Sequence, residues 1–114
     1  MAHVSTLKAA DLHHDFGLGI LPADKIRSVL ANEATITRVT LFGLRAKGNF
    51  QSSSDIDLAV EGLQSDLKAE ALRSALEALA IPQRFDVIAL EKDKHPPIVD
   101  HIPRVGVVVY EAQG

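Results

Sequence analysis

Hydrophobic and polar positions change period several times along the chain. From Asp55 to Glu61 they alternate, with Ile56, Leu58 and Val60 on one face and Asp55, Asp57 and Ala59 on the other, the signature of a half-buried strand. Ile36–Phe42 (ITRVTLF) is rich in β-branched residues and stops at Gly43, which predicts a strand running into a tight turn. Arg84–Leu90 (RFDVIAL) and Val105–Tyr110 (VGVVVY) predict two more strands. Helical spacing governs the intervening segments. Pro22 suits a first helical position and is followed by Ile26, Val29 and Leu30 on one face, predicting a helix over Pro22–Asn32. Ser65 can cap a second helix with a Leu72, Leu76 and Leu79 stripe, limited by Pro82. Residues 1–20 carry a weaker pattern, Val4 with Leu7 and Leu12 with Phe16, read as a short N-terminal helix or arm broken by Gly17 and Gly19. The order helix, strand, strand, helix, strand, short helix or loop, strand predicts an α+β fold, a mixed sheet of about four strands with helices packed on it.

Composition narrows the setting. The chain has 114 residues, 46% hydrophobic and 24% charged, which fits a single domain over residues 1–114. No apolar run approaches the roughly 20 residues that span a bilayer, and residues 1–16 lack a signal-peptide pattern, so a cytoplasmic, membrane-free protein is expected. There is no cysteine, which excludes disulfides and thiolate zinc sites and leaves oxygen or imidazole to hold any metal. The net charge of -3 and the five aromatic residues, one Tyr and four Phe, argue against an extended nucleic-acid surface.

The candidate chemistry lies in Leu41–Val60, LFGLRAKGNFQSSSDIDLAV. Asp55 and Asp57, at i and i+2 of a strand, point to one side with Cα atoms roughly 6.6–6.8 Å apart. Two like charges so placed repel, and a hard divalent cation such as magnesium is one effective compensation. Upstream, Gly43 closes a strand and is followed by Arg45, Lys47 and Gly48, a turn able to offer backbone N–H groups and basic side chains to a phosphate. Asp86 is the one acidic residue within the third predicted strand. If buried there beside Phe85, Val87 and Ile88 it needs a cation partner, either a base such as Arg84 or a metal. His13, His14, His95 and His101 read as surface or loop residues, and Glu61 shares the Asp55–Asp57 face farther along the strand.

Gly43 and Leu44, ten residues, Asp55-Ile56-Asp57 and a later strand aspartate resemble the minimal nucleotidyltransferases of the DNA polymerase β-like superfamily, with the pattern G-S-x10-D-x-D and a distal Asp. The resemblance covers roughly Pro22–Leu90. It implies a small nucleotidyltransferase-type sheet in which Gly43, Leu44, Arg45 and Lys47 meet the nucleotide. It also implies that Asp55, Asp57 and Asp86 bind two Mg2+ ions, with Asp86 activating the acceptor hydroxyl, and that ATP is the donor. Leu44 stands where the family has serine. Its side chain cannot donate, and a hydrogen bond to a charged group contributes roughly 1.5–3 kcal/mol, so the site is expected to be weakened without being abolished.

A 114-residue chain has little room for its own acceptor domain, so a partner or another copy should form the other wall of the cleft. Stand-alone proteins of this kind resemble antitoxins encoded beside a HEPN-domain ribonuclease toxin. That resemblance implies neutralisation by transfer of AMP from ATP to a toxin tyrosine. Two alternatives stay open: a silent antitoxin that acts by docking, and a small-molecule nucleotidyltransferase. Self-association is likewise open, since VGVVVY suits a sheet interior or a pairing edge.

Overall fold

The computed structural model of the protein describes residues 15–48, 50–63, 65–90 and 106–112. Seven elements follow in order: α1 (Ile20–Ala31), β1 (Arg38–Phe42), α2 (Leu44–Lys47), β2 (Ile56–Glu61), α3 (Asp66–Glu77), β3 (Phe85–Ala89) and β4 (Val107–Glu111). The strands form one mixed sheet in the order β3-β2-β1-β4, so the α+β architecture expected from the pattern is the one found. β1 runs antiparallel to β2 and to β4, whereas β2 and β3 are parallel and joined through α3.

The alternation in β2 decides which face is core. Ile56, Leu58 and Val60 are fully buried and cluster with Val39 and Leu41 of β1, Phe85 of β3 and Val109 of β4. Against this layer α1 sets Ala23, Ile26 and Leu30, and α3 sets Ala69, Leu72 and Leu76, each helix burying the stripe its spacing provides. Along the strands the opposite face carries Arg38, Thr40 and Phe42, then Asp57, Ala59 and Glu61, then Asp86 and Ile88. Arg38 bridges Glu111 at 3.2 Å and Glu61 at 3.8 Å at one end of that face, leaving the carboxylates at the other.

Several boundaries differ from the sequence reading for physical reasons. α1 starts at Ile20, two residues before Pro22, because the first helical residues need no N–H partner within the helix and proline is tolerated there. Ile36 is buried but lies in the turn before β1, its N–H bonded to Glu33 O at 3.2 Å. Leu79 packs on the core from beyond the end of α3. The N-terminal helix expected within residues 1–20 falls on residues 1–14 outside the described ones, and Asp15–Leu18 is a turn closed by Leu18 N–H to Asp15 O at 2.9 Å. His13, His14, His95, His101 and Val105 also lie outside the described residues.

Ser65 caps α3 as its sequence position suggests, its Oγ accepting from Lys68 N–H at 3.1 Å. Ser65→Ala is expected to destabilise the protein by about 1 kcal/mol, measured by urea denaturation. No helix among the described residues is long and apolar enough to cross a membrane.

Candidate active site

Two strand registers bring the carboxylates together. Asp57 sits opposite Phe42 in the antiparallel pair and beside Asp86 in the parallel pair. Neighbouring strands lie about 4.8 Å apart, so the Asp57 and Asp86 side chains emerge side by side on the face opposite α1 and α3. Asp55 immediately precedes β2, one register step past the Ile56–Phe85 pair, which brings it next to Arg84. Asp55 and Asp86 are exposed, while Asp57 is half-buried between the strands. The burial anticipated for Asp86 is absent because β3 is an edge strand whose outer face is open at that point. No ion pair joins Asp86 to Arg84 among the described residues.

Gly43 is what lets β1 end against this cluster. Its backbone has φ +76°, a conformation side chains disfavour, and a Cβ there would overlap the Asp57 carboxylate at Oδ2. The chain then enters α2, a single helical turn closed by Lys47 N–H to Gly43 O at 3.2 Å and ended by Gly48 in the left-handed conformation. A tight turn was expected here; a four-residue helix is found, and its first-turn N–H groups have no partner within the helix. Leu44 opens α2 and is 51% exposed beside the carboxylate edge, and Lys47 is exposed at its end.

Arg45 departs from the position expected of a phosphate ligand. Its side chain is buried and its donors are taken by backbone carbonyls: Nε to Ser54 O at 3.1 Å, Nη1 to Phe16 O at 2.7 Å, and Nη2 to Ser52 O at 3.2 Å and Gln51 O at 3.4 Å. The guanidinium also stacks on Phe50, 4.7 Å from the ring centroid. Burial pushes its pKa below the ordinary value, but an arginine keeps its charge under these conditions. Among the described residues, exposed Arg84 lines a cleft of about 500 Å³ together with Asp55, Ser52, Ser53, Pro82 and Gln83. Arg84 lies two residues before Asp86 and so shares its strand face, a signal the sequence contains.

The electrostatics centre on Asp57. Burial, then the negative charges of Asp86 and Asp55, raise its pKa above the ordinary carboxylate value. A carboxyl with a raised native pKa binds protons more tightly in the native than in the unfolded state. Its contribution to stability is therefore present at low pH and lost as pH rises through the raised value. Asp57→Asn removes that loss. The variant is expected to melt above the wild type at neutral pH in a chelator, with the gap closing as pH falls below about 3.9, the value for an unfolded aspartate. Thermal unfolding across pH checks this. Among the described residues no group of three carboxylate or imidazole side chains stands close enough to form a ready-made cation site.

Comparison with solved structures finds this fold repeatedly. A chain of a toxin–antitoxin complex crystallised with AMP-PNP superposes with a TM-score of 0.67 at 23% identity, covering 82% of this chain and 76% of the other. The antitoxin-bearing structure of tri-AMPylated Shewanella oneidensis HEPN toxin in complex with MNT antitoxin gives 0.55 at 18% identity, covering 82% and 72%. A provisionally assigned minimal nucleotidyltransferase gives 0.61 at 28% identity, covering 83% and 96%. No curated protein matches the chain. The family model for polymerase beta nucleotidyltransferases matches residues 24–114, spanning β1, α2 and all three aspartates, and the chain belongs to that nucleotidyltransferase family.

Proposed function

We propose that the protein is an antitoxin that transfers AMP from ATP to a tyrosine of a HEPN ribonuclease toxin. The carrying observation is the juxtaposition of Asp57 with Asp86, two residues from Asp55 and against the Cβ-free Gly43. The family membership supports nucleotidyl transfer, and the similar chains come from a toxin–antitoxin complex with AMP-PNP and from a complex with a tri-AMPylated HEPN toxin.

Asp55, Asp57 and Asp86 would hold the two magnesium ions. The donor set, all carboxylate oxygen, suits a hard cation in chemistry; the three do not stand as a ready-made site, and a bound ion would draw them together and relieve the burial and like-charge pressure on Asp57. When bound, the ions supply neutralisation of charge on the attacking and leaving oxygens. The remaining work falls to the chain. Asp86, exposed on the edge strand, accepts the proton of the acceptor hydroxyl. The tyrosine oxygen forms a bond to the α-phosphorus, the bond from that phosphorus to the β-phosphate bridging oxygen breaks, and pyrophosphate departs. First-turn N–H groups of α2 and Lys47 face the phosphates, with Leu44 contributing its backbone alone. Half-exposed Leu44 in place of a hydroxyl favours a second reading, an antitoxin that works by docking.

Transfer from α-labelled ATP with Mg2+ to a purified HEPN toxin encoded beside this protein tests both. Label that disappears in Asp55→Asn/Asp57→Asn is the expected result, with Leu44→Ser raising the rate roughly ten- to a hundredfold. Protection from the toxin that survives the double substitution, with no label from the wild type, overturns the catalytic reading in favour of docking.

A further inference from the structure

We propose that Arg45 is a positioning residue for Asp55, fixing the place of that carboxylate from behind; this rests on the metal-dependent reading above. The Asp55 side chain is exposed, and among the described residues no hydrogen bond or ion pair holds it. Its location is therefore set by its backbone. On the C-terminal side the Ile56 N–H is bonded to Arg84 O at 2.9 Å, the first link of the parallel β2–β3 pair. On the N-terminal side the Ser54 carbonyl accepts from Arg45 Nε at 3.1 Å. That carbonyl and the Asp55 N and Cα share one planar peptide unit, so an arginine that holds the oxygen also orients the aspartate.

The rest of the guanidinium keeps that grip from drifting. Nη2 reaches Ser52 O and Gln51 O, and the loop is closed on itself by Ser54 N–H to Gln51 O at 3.0 Å and Gln51 N–H to Ser54 Oγ at 2.9 Å. Nη1 anchors the other end to Phe16 O, a fully buried residue held at φ +60°. Because Arg45 is on α2, the same side chain ties the helix after Gly43 to the loop before Asp55. The nucleotide side and the carboxylate side of the site thus share one mechanical link. Lysine cannot replace it, since four carbonyls in different directions need the planar fork of arginine.

Gly17 offers a way to disturb the link from outside. A Cβ there would lie 2.5 Å from Phe50 Cζ and 2.9 Å from Arg45 Nη1, pressing first on the stacked pair. Arg45→Lys and Gly17→Ala are each made alone and with Asp55→Asn in the full chain. Mn2+ binding is followed by electron paramagnetic resonance, and amide hydrogen exchange is recorded at a temperature where circular dichroism shows the fold intact. Expected is Mn2+ affinity weakened about tenfold or more in each single variant, with no further loss in the Asp55→Asn background. Faster exchange confined to residues 51–55, with Leu41 and Leu58 unchanged, is expected alongside.

Mn2+ affinity that stays at the wild-type value in a folded variant overturns the proposal, as does the same loss with and without Asp55. Wild-type Mn2+ binding no tighter than that of Asp55→Asn overturns it too. If Mn2+ binding follows the expected pattern while the wild type transfers no nucleotide, the positioning role stands and the catalytic reading falls.

Discussion

Arg45→Ala is expected to lower the unfolding free energy by about 3 kcal/mol or more. Hydrogen bonds to a charged group contribute roughly 1.5–3 kcal/mol each, but bonds sharing one guanidinium are not additive. The carbonyls of Gln51, Ser52 and Ser54 can turn to water once the arginine is gone, because the loop is at the surface. At the other end the fully buried Phe16 loses the 2.7 Å bond that its O accepts from Arg45 Nη1. Losing that charge-assisted bond costs roughly 1.5–3 kcal/mol, and the cavity left against Phe50 adds to that. For a domain of this size the loss corresponds to a melting point lower by on the order of 15 °C. Chemical denaturation of wild type and variant gives the number, and a change below about 1 kcal/mol would show that water replaces the guanidinium without penalty.

Gly43→Ala is expected to act on the reaction more than on the fold. The added methyl group meets a carboxylate that can rotate, so the immediate steric conflict is relieved by displacing Asp57. The backbone, at φ +76° and ψ -154° in a region essentially confined to glycine, adds about 1–3 kcal/mol of strain. Displacement of a catalytic group by about 1 Å can lower a rate on the order of a hundredfold, so nucleotidyl transfer should fall at least that far while the variant remains folded at room temperature. Turnover and thermal melting measured on one preparation separate the two effects. Full activity would mean that Asp57 tolerates a second rotamer, and that the glycine serves the turn alone.

How much of this was written in the sequence differs from residue to residue. The Ile56–Leu58–Val60 alternation gives both a strand and its buried face, and the i, i+2 aspartates inherit their common direction from it. Ser65 marks the start of α3 by a local rule of side-chain capping. Asp86 is recognisable as the isolated charge in an apolar strand. Its exposure is not, because edge or interior position depends on strand order, which no local pattern encodes. α2 is four residues long, too short for helical periodicity to register, so Gly43–Gly48 reads as a turn. Arg45 and Lys47 are both basic residues in a polar stretch. What separates them is that one meets Phe16, 29 residues upstream, across the tertiary structure.

The connectivity of the sheet also bears on synthesis. β4 meets β1 across 73 residues at Arg38 and Glu111, whereas β2 follows β1 after a short connection and β3 follows β2 after a single helix. Contacts close in sequence form before distant ones, so β1, β2 and β3, whose pairing gathers the aspartates, can assemble while β4 is still being made. At translation speeds of roughly 5–20 residues per second, that leaves an interval of seconds in which the outer edge of β1 stands open. An unpaired edge of Val39, Thr40 and Leu41 is a template for strand pairing between molecules. The nascent chain is thus most vulnerable to aggregation on the side of the sheet away from its carboxylates, at a moment when the aspartates are already in register.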